Sequence, residues 1–596
     1  MRVPALRGIG RALTHRHRAV LAFLLRLRTR AQRLFKLSDK HTILLWATLA
    51  GLVGTAATLV FRLGIDWLES LIDPNASGLV QIARDLPWYA RLALPSAGGA
   101  VAGMLLLAAR RNDDGKGHAD YMEAMTIGEG VVPVRQSLWR SGSSLVTIAS
   151  GGSIGREGSM VQLAALSASL LGRLVHVDPE RLRLLVACGA AAGITSAYSA
   201  PIAGALFVTE IVLGSIAMES FGPIIVSSVV ANVTMRALSG YQAPYEMPPF
   251  PAISGLEVLW FVGLGILCGM LAPAFLLLLS ASRRLFGRWI APLPWRLALG
   301  GALVGALSIQ APQVWGNGYS VVNAILHQPW TWQALVAVLV LKVAATCATA
   351  GSGAVGGIFT PTLFVGAALG AIYGLAAHAH LPLATSAPLA YAIVGMGAFL
   401  AAATHAPLMA ILMIFEMTLS YQVVLPLMLA SVIAYFIARA LAETSMYEVT
   451  LRRNRERRER LRLKATQMRE LVRPADTVLG LDASVADMTR VFLEYPVKYI
   501  YIVDAAGWFQ GVVALKDITS DLLDKHGPRE RRARDYLRRD FAALTPDMPL
   551  AAALQHFLAF QGERLPVVAS TQAPKLLGVV YKTALLQAYF QMNASD

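Results

Sequence analysis

Arg156 and Glu157 stand on a glycine-rich stretch, GGSIGREGS (151–159), that opens into a run of small and apolar residues from about Met160. A charged pair inside sequence apolar enough for a membrane is costly to bury and marks an ion pathway. Glycine lets backbone N–H groups come close to a ligand, and a helix beginning there presents the positive end of its dipole. The chemistry this predicts is anion binding, and Glu157 can itself provide the anion from its carboxylate. A plainer alternative reads the pair as an ionic pin on a helix start.

The elements that must position this pair are membrane helices. The chain has 596 residues, 55% hydrophobic and 15% charged, with a mean hydropathy of +0.53. That is too apolar for a soluble protein of this length and predicts a polytopic helical membrane protein. Spanning-grade runs recur from about residue 43 to residue 442, many of them shortened by Gly or Pro, as in broken or re-entrant helices lining a protected pathway. The expected pieces are 43–63, 93–109, 137–150, a helix to about 175, then 184–238 interrupted at Pro201 and Pro223. After a Pro-rich loop (242–252) come 256–281, 296–310, 333–350, 361–379, 388–403, 407–419 and 423–442.

The net charge of +16 is concentrated in an N-terminal arm (1–40, whose only acid is Asp39) and in RRNRERRERLRLK after the last span. Both segments adjoin membrane helices, so the positive-inside rule places both ends of the membrane domain in the cytoplasm, and these arginines need no nucleic-acid partner. The Arg-flanked apolar piece 19–25 reads as an interfacial helix rather than a signal peptide. Cys188, Cys268 and Cys347 lie in apolar segments without C-x-x-C spacing and read as packing residues, with no metal site. No nucleotide-binding or hydrolase motif with its structural context is present, and nothing argues for an enzyme.

The chain repeats itself. SGGSIGREGSMVQLAALSASLLG (150–172) lies on SGAVGGIFTPTLFVGAALGAIYG (352–374), and GAAAGITSAYSAPIAGALFVTE (189–210) lies on GMGAFLAAATHAPLMAILMIFE (395–416). Ala200-Pro201 matches Ala406-Pro407, and Glu210 matches Glu416. Two matches in the same order indicate a duplicated unit, which would set two glycine-headed helices on one midplane site. Beyond about residue 472, strands such as YIYIVD (499–504) and GVVALKDI (511–518) alternate with amphipathic helices in two similar units, 473–525 and 540–594, joined to the membrane domain by a basic linker helix (449–472).

With these residues in hand, the sequence resembles the CLC family of chloride channels and chloride/proton exchangers, in its ClcB-like bacterial branch. GREGS (155–159) is similar to the family's GREGP-type motif, GGIFTP (356–361) to its GxFxP motif, and the paired A-P…E elements and late Tyr447 fall in order. LFVTEIVLGS (206–215) and VWGNGYS (314–320) point to the branch, and the tail resembles a pair of CBS domains. The resemblance implies an all-α polytopic membrane domain (41–448) of two inverted repeats of broken helices, about 41–240 and 256–448, followed by an α/β CBS pair in the cytoplasm. It implies a homodimer in a bacterial inner membrane, each subunit holding its own pore. Glu157 matches the gating glutamate, whose carboxylate occupies an anion site until displaced or protonated. Gly357, Ile358 and Phe359 match the loop whose amides coordinate chloride, and Tyr447 the tyrosine that closes the site from inside. No cofactor is required.

Four departures qualify the match. Lys116, His118 and Ala119 stand where the first motif expects Ser, Ile and Pro, so a solvated loop or another anion donor is expected there. Ile211 replaces the proton-relay acid of exchangers, leaving Glu210 and Glu416 to bond backbone. Ser159 stands where proline follows the gate. In the tail, Asp517 is placed to contact the ribose of an adenine nucleotide, but the second unit has Ala584 there. The leading expectation is passive, gated chloride conduction, with chloride/proton exchange as the alternative. Nucleotide sensing through the tail, or transport of fluoride or nitrate, are further possibilities.

Overall fold

The computed structural model of the chain describes residues 39–76, 78–111, 120–126, 128–214, 217–240, 245, 257–289, 292–380, 387–442, 445–447, 469, 471–522, 531–560, 562–570 and 572–594. Two compact units divide the chain, 1–449 and 450–596. The N-terminal arm, Lys116 with its loop, most of the Pro-rich loop and nearly all of the basic linker lie outside the described residues.

In the first unit, one half comprises α1 (Asp39–Ile72), α2 (Leu79–Asp85), α3 (Trp88–Arg111), α4 (Tyr121–Thr126), α5 (Val134–Ala149), α6 (Glu157–Leu174), α7 (Pro179–Tyr198), α8 (Pro201–Leu206) and α9 (Met218–Ser239). A π-helical turn, Phe207–Val212, follows α8. The other half comprises α10 (Val258–Trp289), α11 (Leu293–Gln310), α12 (Tyr319–His327), α13 (Trp332–Ser352), α14 (Phe359–His380), α15 (Pro388–Thr404), α16 (Pro407–Thr418) and α17 (Val424–Leu441). Among the described residues seven helices, α1, α3, α9, α10, α13, α14 and α17, are long and apolar enough to cross a membrane. This is a multi-pass membrane protein.

The helices break at equivalent places in the two halves. Gly151 and Gly353 both take φ = 95° after α5 and α13, and Ser199 and His405 turn left-handed (φ 53° and 57°) after α7 and α15. Each of the latter precedes an Ala-Pro step, and Pro201 and Pro407 then open α8 and α16, where a missing N–H costs nothing. Close packing follows from small residues: a Cβ added at Gly366 or Gly395 would meet the other's carbonyl, so α14 and α15 touch backbone to backbone. α15 is buried along Ala390–Thr404.

One expectation in this unit needs correction. Pro223 does not interrupt its segment; it lies inside α9, close enough to the N-terminus that its ring opposes only the first turn, and Gly222 beside it adds no bulk. Between α3 and α5, the short helix α4 is buried along Tyr121–Met125.

The second unit holds β1 (Val478–Gly480), α18 (Val485–Glu494), β2 (Tyr499–Val503), β3 (Phe509–Ala514), α19 (Leu515–Leu522), α20 (Leu550–Ala559), β4 (Arg564–Val568), β5 (Leu576–Tyr581) and α21 (Lys582–Ala594). The strand expected over GVVALKDI ends at Ala514, where α19 begins. β1 pairs parallel with β2, and β2–β3 and β4–β5 are antiparallel hairpins, each with a register shift near its turn end, at Ile502/Val503 and Val567/Val568. Gly511 and Gly578 let the carbonyls of Arg538 and Arg473 approach the two hairpins at matching points, on β3 and β5. Val485, Met488, Phe492, Ile500 and Val513 form one core, and Leu544, Phe557, Leu565, Val567 and Leu585 the other.

Candidate anion site

α6 and α14 begin against one another. Gly155 N–H donates to the Gly357 carbonyl at 2.7 Å and Gly357 N–H to the Gly155 carbonyl at 2.8 Å, an antiparallel bridge between repeat-equivalent residues. Such reciprocity reflects a local two-fold relation between the two helix starts. In α6 the first intrahelical donor is Met160 (to Arg156 O, 3.2 Å), and in α14 it is Thr362 (to Ile358 O, 3.0 Å). The amides before them, including those of Ile358 and Phe359, have no acceptor within their helices, and the dipoles make both tips electropositive.

Glu157 settles into this cleft with 4% of its surface exposed. Its Oε1 accepts from the Thr360 hydroxyl, which bonds the Tyr198 hydroxyl at 2.8 Å. Its Oε2 has no hydrogen-bond partner and lies where a side chain on Gly155 or Gly357 would have to go. The ionic pin does not form: Glu157 turns to Thr360, and no Arg156–Glu157 ion pair occurs among the described residues. Of the three expected backbone donors, Gly357 has its N–H engaged by Gly155, which leaves Ile358 and Phe359.

Tyr447 stands edge-on to Phe207, ring centroids 5.6 Å apart. Its neighbour Met446 donates its N–H to Ala403 O at 2.9 Å and receives the Thr362 hydroxyl on sulfur. Tyr447 is thereby tied to the turn of α14 that follows Phe359. Ile211 sits half-buried in the π-helical turn.

The paired acids obey the same two-fold relation. Glu210 accepts from Leu408 N (3.3 Å) and Met409 N (2.7 Å), and Glu416 accepts from Ile202 N (3.0 Å) and Ala203 N (2.8 Å). Each carboxylate therefore satisfies the orphaned amides of the other repeat's Pro-headed helix, the backbone role expected of them.

The family model described as Voltage gated chloride channel matches residues 98–439, and the CBS domain model matches residues 533–591.

The chain belongs to the voltage-gated chloride channel (CLC) family.

This CLC chain is 57% identical over 414 residues to a chloride channel protein of Ralstonia nicotianae described as ClcB-like, covering 69% of the chain and 96% of that relative. Among solved structures, a slow cyanobacterial Cl−/H+ antiporter matches with TM-score 0.61 and 24% identity, covering 70% of this chain and 98% of that one. A eukaryotic CLC transporter matches with TM-score 0.59 and 17% identity, over 92% and 99%. Both share its fold. Chloride is the ion this family transports, and the family is not one of enzymes.

Three features escaped the sequence reading. Thr360 follows the GGIF stretch in the first turn of α14, and Tyr198 precedes the S-A-P break; the hydroxyl beside each breaker was the available signal. Lys342, fully buried in α13, donates to the carbonyls of Val314 (2.9 Å) and Gly316 (2.7 Å) and holds the turn carrying Trp315. In the second unit the missed residue is Arg538, whose Nε meets the already noted Asp517 at 2.6 Å in a two-pronged ion pair.

Proposed function

We propose that this CLC chain conducts chloride down its gradient through the first unit, with the Glu157 carboxylate competing with chloride for one site between the inverted repeats. The observation that carries the reading is the buried seat of Glu157 between two electropositive helix tips, a place made for an anion and filled by the chain's own. Backbone amides of Ile358 and Phe359 hold chloride without a full positive charge, so it can leave again. Tyr447 bounds the site on the inner side. Protonation of Glu157 removes the competing charge and lets the side chain swing clear.

Ile211 favours conduction over chloride/proton exchange, since it cannot titrate, and Glu210 is engaged with backbone. The protein works as a homodimer in a bacterial inner membrane with both ends of the membrane domain cytoplasmic, and the second unit is a CBS pair that supports it. The engagement of Asp517 by Arg538 favours a structural tail over an adenine-nucleotide site.

Liposomes reconstituted with purified protein under a tenfold pH gradient test this. Conduction puts the reversal potential at the chloride equilibrium value; a shift away from it establishes exchange instead. Glu157→Gln, a neutral mimic of the protonated gate, gives open, pH-insensitive chloride flux, and persistent pH dependence removes Glu157 from the gate.

A further inference from the structure

The Thr360 hydroxyl is 1% exposed and Tyr198 is 6% exposed, and both face the one acceptor that neutralises the cleft. A threonine carries a single hydroxyl proton. Because an ionised Glu157 can only accept, that proton is committed to Glu157, and the Tyr198 hydroxyl must donate to Thr360 at 2.8 Å. The Tyr198 ring leans on Phe359, centroids 5.1 Å apart, which fixes where its hydroxyl points. The chain of donors thus runs Tyr198 to Thr360 to anion, each bond polarising the next. When Glu157 leaves, the Thr360 donor is left buried and unpaired, which costs free energy until another anion accepts from it.

We propose that the Thr360 hydroxyl is a direct ligand of the transported anion, taking chloride in the place of the Glu157 carboxylate, and that Tyr198 is a positioning residue that aims the Thr360 proton at it. The inference rests on the competition between Glu157 and chloride proposed above. It adds to the backbone amides a side-chain donor whose strength responds to the anion's charge density, so Thr360 also sets selectivity among halides. The smaller, harder ion gains more from a hydroxyl donor than the larger one.

Isothermal titration of chloride into full-length detergent-purified protein in isethionate buffer tests it in a Glu157→Ala background, where the site is free. The parent Glu157→Ala protein binds chloride, and adding Thr360→Val, which preserves shape, weakens Kd by about tenfold or more, the loss of one hydrogen bond to a charged group. Thr360→Ser restores binding to within about threefold of the parent. Tyr198→Phe weakens binding when Thr360 is present and has no further effect beside Thr360→Val, which a merely structural tyrosine would not do. Unchanged Kd in a monodisperse Thr360→Val protein overturns the ligand role, and equal effects of Tyr198→Phe in both backgrounds overturn the positioning role. Absence of chloride binding in the Glu157→Ala parent overturns the competition itself, an outcome separable from the other two.

Discussion

Replacing Glu416 by alanine strips two amides of their acceptor at once, and the same change at Glu210 does so in the other repeat. Glu416 takes Ile202 N and Ala203 N at 3.0 and 2.8 Å; Glu210 takes Leu408 N and Met409 N at 3.3 and 2.7 Å. A hydrogen bond to an ionised group contributes about 1.5–3 kcal/mol, so each pair is worth about 3–6 kcal/mol. Both carboxylates are half-buried, and partial solvation places the loss near the low end, about 3 kcal/mol. Glu210→Ala should cost slightly less than Glu416→Ala because the Leu408 bond is long. Glutamine keeps an acceptor oxygen and forfeits chiefly the attraction to the helix dipole, about 1 kcal/mol. Thermal unfolding of the detergent-purified protein reads these losses as drops of about 6 °C for alanine and about 2 °C for glutamine, using roughly 2 °C per kcal/mol for a large domain. Parent-like melting of both alanine variants would refute the capping role. So would a Glu210→Gln protein with intact melting but altered proton flux, while Glu416→Gln left that flux unchanged; the two acids would then not be equivalent.

Other consequences follow from single contacts. Lys342→Met orphans the Val314 and Gly316 carbonyls and is expected to cost about 2–5 kcal/mol, seen as lower melting and a smaller monodisperse fraction; unaltered melting would mean that relief of a buried cation offsets the lost bonds. Gly151→Ala forces a side chain into the Trp315 ring at φ = 95° and should sharply lower folded yield, whereas Gly142→Ala, with open space around it, should leave yield intact; equal behaviour of the two contradicts the packing. Asp517→Ala breaks a partly exposed ion pair with Arg538 and should lower the melting of the second unit by no more than about 1 kcal/mol, with no change in its response to ATP. An ATP-dependent stabilisation of the full chain that Asp517→Ala abolishes would restore the nucleotide reading.

Much of this fold is legible in the string because its helix ends are written in residue types. Gly151, Gly353, Pro201 and Pro407 each mark a helix break, and their recurrence in the same order at nearly the same gap exposes the duplication before any contact is known. Glu157 is legible because a carboxylate in a membrane-grade run is costly to bury, while a glycine-headed helix start offers it amides and a dipole; the residues alone leave the ionic pin open. What stays hidden depends on contacts across the chain. Thr360 meets Tyr198 over 162 positions, and neither has a local pattern that tells a ligand from a packed hydroxyl. Lys342 is a lone charge in an apolar run until its carbonyl partners, 26 and 28 residues upstream, are seen. The engagement of the Gly357 amide follows from the two-fold relation, which the repeat match alone leaves open in sense. Pro223 misleads because proline near a helix start and proline in its middle look alike in sequence.

The most direct test of the shared site is the anomalous density of bromide in crystals of the Glu157→Ala protein. Competition between carboxylate and anion predicts a bromide peak within hydrogen-bonding reach of Thr360, between the first amides of α6 and α14. An empty cleft there, with bromide bound elsewhere in the first unit, would contradict it.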